Sequence, residues 1–381
     1  MRRPRIRSRS LPSLSLWDRA VAKRLPLSVD LELTARCNNA CRHCYVNRAA
    51  GDAAARAREM DYPFLMDLAD QAVSLGTLWC LLTGGEPLLR EDFAEIYIGL
   101  RKKGLLVSVF TNAILVGEKE VELFKAHPPR LVEVSVYGAT ETTYERVTRT
   151  PGSYRAFRKG LDRLLDAGIK VRFKTMAVRS NVAELPEIAD FCRQRTSDVY
   201  RFDPVLHLRV DGDRVRNEEI RAERLAPAEI VALERSDPER FGALMRNCDS
   251  LILPDRAAVG CRHLFYCTAG RAAFGVTWNG RFSLCLSLRG EEALYDLRRG
   301  SLRAAWEDFA PRLLDLKSER PEFLARCGGC PIVNLCLWCP AHAYLETGAL
   351  DEPVEYFCEV AHARSRALQD VLGAGAKEGA S

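Results

Sequence analysis

Three cysteines fall within eight residues, Cys37, Cys41 and Cys44, in the pattern C-x3-C-x2-C. Three thiolates at this spacing can hold three irons of a cubane [4Fe–4S] cluster and leave the fourth iron open to a small molecule, whereas electron-transfer clusters use four cysteines. Zinc is the alternative, because a three-cysteine loop can be completed by a distant histidine. A second group fills the last third of the chain: Cys261, Cys267, Cys285, Cys327, Cys330, Cys336, Cys339 and Cys358. Only Cys80, Cys192 and Cys248 of the 14 cysteines stand alone, and these read as small buried hydrophobes. No secretory signal precedes them, since the arginine-rich start has no apolar core, so clustered thiols read as metal ligands and not disulfides.

The elements that must position these thiols follow a repeated unit. Three helical segments end at Gly76, Gly104 and Gly168 and run into the β-rich stretches 77–82, 105–110 and 169–178. The preceding helices are amphipathic: Phe64, Leu65, Leu68, Ala69, Ala72 and Val73 share one face, as do Phe157, Leu161, Leu164 and Leu165. Further strands are expected at Val29–Leu33, Leu131–Val136 and Val199–Phe202. The runs are nearly continuous in apolar residues, as for parallel strands buried on both faces. Six strand–helix units make a partial (β/α)6 TIM-like barrel of α/β class. Chemistry then collects at the C-terminal ends of the strands. The cysteine loop follows the first strand, Thr83-Gly84-Gly85-Glu86-Pro87 the second and Thr111-Asn112 the third, while Ser135 ends the fourth.

Together, the C-x3-C-x2-C loop and the GGEP loop resemble the radical S-adenosylmethionine (radical SAM) superfamily over about Val29 to Pro204. The resemblance implies that Cys37, Cys41 and Cys44 hold a cluster whose open iron is chelated by the amine and carboxylate of SAM. It sets Gly84, Gly85 and Glu86 toward the methionine amine and His43 against the adenine. Thr111, Asn112 and Ser135 occupy the remaining SAM-site positions. Lys174 on the fifth strand faces SAM or substrate, or is a snorkelling barrel lysine. No catalytic acid or base is assigned.

The C-terminal cysteines resemble the SPASM extension of this family, a small domain with a β-hairpin and helices that carries auxiliary clusters. Twelve residues separate Cys267 from Gly280, four more precede Cys285, and Asn279-Gly280 marks a hairpin turn. The block C-GG-C-PIVNL-C-LW-C departs from the family pattern in one place: two residues, Leu337 and Trp338, stand where the family has three. A zinc ribbon is the other reading of two C-x2-C pairs. Family topology implies two interleaved [4Fe–4S] sets, Cys261, Cys267, Cys285 and Cys339 against Cys327, Cys330, Cys336 and Cys358. Three [4Fe–4S] clusters and SAM are thus the expected cofactors. Cys261 is the ligand whose absence would leave an auxiliary iron open.

The expected domains are a basic, flexible segment at 1–27, the barrel at 28–210, bridging helices at 211–254, the SPASM domain at 255–371 and a flexible tail at 372–381. A net charge of +5 gives no reason for a nucleic-acid partner, and no apolar run spans a membrane. A cytoplasmic peptide- or protein-modifying enzyme is expected, reduced by a flavodoxin or ferredoxin. The short stretch before the first strand leaves no room for a winged peptide-recognition domain, so a leader peptide would need a discrete binding protein. The alternative in the same class is a sulfatase-maturing oxidase. Those enzymes carry an acidic residue directly after the hairpin cysteine, where this chain has Leu286. The rival of another class is a non-enzymatic metal-binding scaffold.

Overall fold

A computed structural model describes residues 15–198, 200–256 and 261–378. The six expected runs form parallel strands β1 (Ser28–Thr34), β2 (Trp79–Gly84), β3 (Leu106–Thr111), β4 (Leu131–Ser135), β5 (Val171–Met176) and β6 (Arg201–Asp203), hydrogen-bonded in that order. Val199, the expected start of the sixth strand, lies outside the described residues. Helices α1 (Tyr62–Ser74), α2 (Phe93–Lys102), α3 (Glu118–Ala126), α4 (Glu141–Thr148), α5 (Ser153–Asp166) and α6 (Leu185–Arg193) return the chain between strands. Asp61 starts α1 by accepting the Phe64 amide at 3.0 Å, and Gly76, Gly104 and Gly168 end their helices at positive φ. Val73 reaches the rim and is exposed, unlike Leu65, Leu68, Ala69 and Ala72 on the same helix.

The strands are less uniform than their composition suggests. Val132, Val134 and Phe173 face outward into one core with Phe157, Leu161 and Leu164 of α5. The alternate residues Glu133, Ser135, Lys174 and Met176 line a cavity inside the barrel. Side chains alternate across a strand, so the polar members of each run are the inward ones.

Three changes to the expected domain plan follow. First, the C-terminal hairpin joins the sheet of the barrel. Its strand β7 (Ala273–Val276) pairs parallel with β1, from Ser28 opposite Ala273 to Leu31 opposite Val276. β8 (Arg281–Ser283) and β9 (Tyr295–Asp296) then complete one nine-stranded sheet. The turn is three residues with Gly280 at φ +84°, a type I turn with a bulge. Second, residues 15–27 are docked: Ala20 is buried, the Arg24 guanidinium lies 5.0 Å over the Trp306 ring and donates to its carbonyl at 2.8 Å, and the Trp306 indole donates to the Arg24 carbonyl at 2.9 Å. Residues 1–14 lie outside the description. Third, the last helix does not stop at 371 but runs to Glu378, with 379–381 outside the described residues.

Bridging helices α7 (Arg214–Glu223), α8 (Pro227–Ser236) and α9 (Pro238–Arg246) link the barrel to α10 (Pro340–Thr347) and α11 (Glu355–Glu378). Buried Glu234 of α8 anchors them, accepting from Arg240 at 2.7 Å and from two Arg364 nitrogens at 2.7 and 2.9 Å. No described helix is long and apolar enough to cross a membrane.

Asp30, on β1, gives the fold a pH signature. Burial and then the neighbouring Glu32 charge push its carboxyl up to about 6. Its favourable contribution is complete below the ordinary carboxyl value and is lost as pH rises through 6. Asp30→Asn should therefore unfold at a higher temperature than the parent at pH 8, by on the order of 2 kcal/mol, and match it near pH 4. A midpoint below the parent's at pH 8 would show that the fold needs the charge.

Candidate active site

The Cys37–Cys44 loop is held from several sides. The Ala40 and Arg42 amides donate to the Thr148 and Val147 carbonyls at 3.0 and 3.1 Å, tying the loop to the end of α4. Arg216 donates to the Cys41 carbonyl at 2.7 Å. Arg209, almost fully buried, reaches the Cys44 carbonyl at 3.3 Å and the Asn47 side chain and carbonyl at 3.0 and 3.1 Å, while its fork is paired with Asp211. Burial pushes the Cys37 and Cys41 thiols well up, and nearby acidic or thiol groups add to the rise. Only a cation seated among them makes thiolates favourable there.

The loop forms one wall of a cavity of about 270 Å³. Of the residues expected at the site, Cys37, Cys41, His43, Cys44, Gly84, Gly85, Thr111, Asn112, Ser135 and Lys174 all line it. Glu86 does not. It is fully buried behind the loops, where one oxygen accepts from the Leu88 amide and the Thr111 hydroxyl at 3.1 and 2.8 Å and the other from the Asn112 amide at 2.8 Å. Its carboxylate fixes the third loop against the second, which is a different position from the expected one against the methionine amine.

The glycines answer first to the neighbouring strand. A Cβ on Gly84, at φ +131°, would stand 2.1 Å from the Thr34 carbonyl oxygen, and one on Gly85 would stand 2.2 Å from that of Arg36. Their close crossing lets the Gly85 and Glu86 amides donate to those carbonyls at 2.7 and 2.9 Å. The second loop is thereby bound to the end of β1, where the cysteine loop begins. Asn112 completes the link by donating to the Asn38 side chain at 2.8 Å.

His43 is buried, its Nδ1 has no hydrogen-bond partner among the described residues, and its ring lies 5.0 Å from that of Tyr137. Burial, with Arg216 adding to it, lowers its imidazole to about 4, so the ring is neutral at pH 7. The side-chain amide of Asn39 is likewise buried without a partner among the described residues. Such orphaned groups mark polar positions waiting for a ligand.

Several lining residues were not anticipated: Tyr137, Glu133, Asp203, His207 and Ser287. Glu133 and Tyr137 flank Ser135 at two-residue spacing, so strand alternation alone carried their signal. His207 stacks on His342 of α10 at 3.8 Å between ring centroids, joining the cavity to the C-terminal domain. Arg209 and Arg216 have no signal in the sequence, because their partners lie more than 150 residues away.

The C-terminal thiols gather around two separate hollows. One, of about 260 Å³, is lined by Cys267, Cys285 and Cys339. The other is lined by Cys327, Cys330, Cys336 and Cys358. Cys261 does not line the first hollow, although its thiol pairs with the hydroxyl of Tyr266, which does. Burial raises the thiols of Cys327 to about 11 and of Cys336 and Cys339 to about 12. Among the described residues no three potential ligands converge at single-ion spacing. Cys80, Cys192 and Cys248 are buried apart from both groups.

The hairpin cysteine is fixed to the barrel by a buried ion pair. Arg289 donates to Glu32 of β1 at 2.6 Å and to the Leu286 carbonyl at 2.8 Å, and both charged side chains are less than a tenth exposed. Leu286 itself packs over Gly275, whose added Cβ would lie 2.9 Å from it, and does not line the cavity.

Comparison with known proteins accords with this geometry. Residues 31–192 match the model of the Radical SAM superfamily. Fe-coproporphyrin III synthase of Methanosarcina barkeri is 25% identical over 332 residues, 80% of each chain. PqqA peptide cyclase of Xanthomonas euvesicatoria is 29% identical over 192 residues, and the chain spans about half the length of that relative. Streptococcus suis SuiB bound to the precursor peptide SuiA shares the fold, with a TM-score of 0.63 at 15% identity over 88% of this chain and 77% of that one. Residues 31–192 thus carry a radical SAM domain. The chain is an enzyme, a partial barrel followed by a cysteine-rich region, and the radical SAM match implies a [4Fe–4S] cluster and SAM.

Removing one partner of the Glu32–Arg289 pair strands a buried charge. Arg289→Met should cost about 3–5 kcal/mol in urea unfolding. The double change with Glu32→Gln should recover at least half, because burial alone raises that carboxyl. An additive double variant would show the pair is not coupled.

Proposed function

We propose that the chain reductively cleaves SAM to a 5′-deoxyadenosyl radical and abstracts hydrogen from a peptide or protein, a post-translational modification such as crosslink formation. The observation that carries this is a cavity lined by three cysteines of one loop and no fourth, with the second-, third- and fourth-strand loops completing its walls. Cys37, Cys41 and Cys44 would hold a cubane there through three irons and would leave the fourth to SAM. Such a cluster, once reduced, would supply the one-electron chemistry that cleaves the sulfonium and opens unactivated carbons to reaction, which acid–base side chains do not provide.

In this reading the protein binds, orients and excludes water. Gly84 and Gly85 present backbone to the methionine end. His43, neutral and buried, lies against the adenine with Tyr137 behind it. Ser135, Thr111 and Asn112 take polar groups of SAM, while Glu86 holds the third loop in place. Lys174 faces SAM or substrate. Cys267, Cys285 and Cys339, with Cys261 closing the set, hold one auxiliary [4Fe–4S] cluster, and Cys327, Cys330, Cys336 and Cys358 hold the other. A flavodoxin or ferredoxin supplies electrons, a discrete protein presents the leader peptide, and the enzyme works in the cytoplasm. The peptide class is supported by the likeness to PqqA peptide cyclase and by the fold shared with SuiB. A second reading, a tetrapyrrole substrate, is favoured by one observation: the relative sharing 80% of the chain is Fe-coproporphyrin III synthase. A sulfatase-maturing activity has less support, because Leu286 offers no base.

The test compares variants under dithionite. The triple change Cys37→Ala, Cys41→Ala and Cys44→Ala should form no 5′-deoxyadenosine. Cys330→Ala should still form it yet leave a peptide substrate without the loss of two hydrogens that marks a crosslink. Cleavage by the triple variant would overturn the assignment of the SAM cluster. Formylglycine formation on a Cys or Ser sulfatase peptide would replace it with the oxidase reading.

A further inference from the structure

The side-chain amide of Asn112 is locked in one orientation by its neighbours. The Ile114 backbone amide donates to its Oδ1 at 2.9 Å, so Nδ2 faces the other way, toward the cysteine loop. There it donates to the Asn38 side-chain oxygen at 2.8 Å and lies 3.8 Å from the Cys37 sulfur. The main chain beneath it is fixed as well, because Glu86 accepts from the Asn112 amide and the Thr111 hydroxyl, each at 2.8 Å. Asn112 is buried. A donor held this way from several sides has little rotamer freedom left to lose when it acts.

Cys37 is the thiol that gains most from such a donor. Burial disfavours negative charge on its sulfur, and the nearby Glu86 carboxylate opposes it further, whereas the Asn39 backbone amide and Asn112 both favour it. The Asn39 amide donates to that sulfur at 3.4 Å. The loop is anchored from its far side: Asn47 donates to the Asn39 carbonyl at 3.1 Å, and Arg209 donates to the Asn47 side-chain oxygen at 3.0 Å. The Asn39 side chain, buried with neither polar atom partnered among the described residues, sits in the wall of the cavity that the three cysteines line. Two fixed donors and an unsatisfied amide thus surround the start of the loop. Hydrogen bonds to the sulfurs are among the factors that set a cluster's reduction potential. A donor stabilises the more negative, reduced state and so raises that potential.

We propose that Asn112 is a positioning residue for electron entry: its Nδ2–H donates to the Cys37 sulfur and makes the cluster held by Cys37, Cys41 and Cys44 easier to reduce. The second lone pair of its Oδ1 stays available to SAM. This deepens the reading above and rests on those three cysteines holding a cluster.

The test is a potentiometric EPR titration of the anaerobically reconstituted full chain without SAM, its potential set through redox mediators. The signal missing from the triple variant Cys37→Ala, Cys41→Ala and Cys44→Ala belongs to this cluster, and the remaining signals serve as internal references. Asn112→Ser keeps a side-chain oxygen for the Ile114 amide but is too short to reach the sulfur. Asn112→Ala loses both contacts. Both variants should lower the ratio of reduced to oxidised cluster about threefold or more at a fixed potential, with the reference signals unmoved. Asn38→Ala removes the other acceptor of Nδ2 and should leave that ratio undiminished. A shift with alanine alone would make Asn112 a brace of its own loop and overturn the proposal. So would no shift in either variant, or equal shifts in every signal. On the unaltered chain, asparagine carrying 15N at Nδ2 should add a nitrogen coupling to this signal in pulsed EPR. Absence of that coupling would overturn the proposal without any variant, and its presence or absence decides the matter where a variant does not assemble. A chain with no signal removed by the triple change fails the cluster reading itself, whereas an unmoved potential on an assembled cluster fails the role of Asn112 only.

Discussion

Strand β1 is paired on both sides, with β2 across one edge and with β7 of the C-terminal hairpin across the other. This double parallel pairing holds the strand that leads to the Cys37–Cys44 loop and the hairpin that leads to Cys285 in one sheet. The strand's C-terminal end launches the Cys37–Cys44 loop, its Thr34 and Arg36 carbonyls receive the second loop, and its buried Glu32 holds Arg289 four residues beyond Cys285. Parallel strands cannot be joined by a short turn, so the pairing of β1 with β7 closes a loop of more than 200 residues and depends on the whole barrel having formed.

From that constraint follows a site built of contacts, each short in space and long in sequence. Arg209 and Arg216 grip the cysteine loop from beyond the last barrel strand, and the His207–His342 stack joins the barrel to the cysteine-rich C-terminal region. A radical intermediate would gain from such contacts, because water exclusion prevents side reactions and a misplacement of about an ångström costs rate. The cavity carries its polar groups inward on alternate strand positions, so core and site share the same strands without sharing side chains.

Much of this was legible from residue types and spacing. Period-independent apolar runs located six strands, the spacing of Cys37, Cys41 and Cys44 identified the loop that carries the chemistry, and strand-end positions brought Gly84, Thr111, Asn112 and Ser135 to it. What was hidden is physical in origin. The partners of Arg209, Arg289 and Trp306 are set by tertiary packing, which a local pattern does not encode. Glu86 illustrates the reverse case: its place in a motif suggested a ligand contact, yet its burial and three donors make it a brace between loops. Docking of residues 15–27 depended on a tryptophan 282 residues away. Glu133 was readable in principle, through its two-residue offset from Ser135.

The account rests on the thiol groups holding iron–sulfur clusters. Iron, sulfide and zinc analysis of the anaerobically reconstituted chain tests that most directly. Three cubanes call for about twelve iron and twelve sulfide per chain, falling to about eight of each when Cys37, Cys41 and Cys44 are removed together. Stoichiometric zinc without sulfide would contradict it.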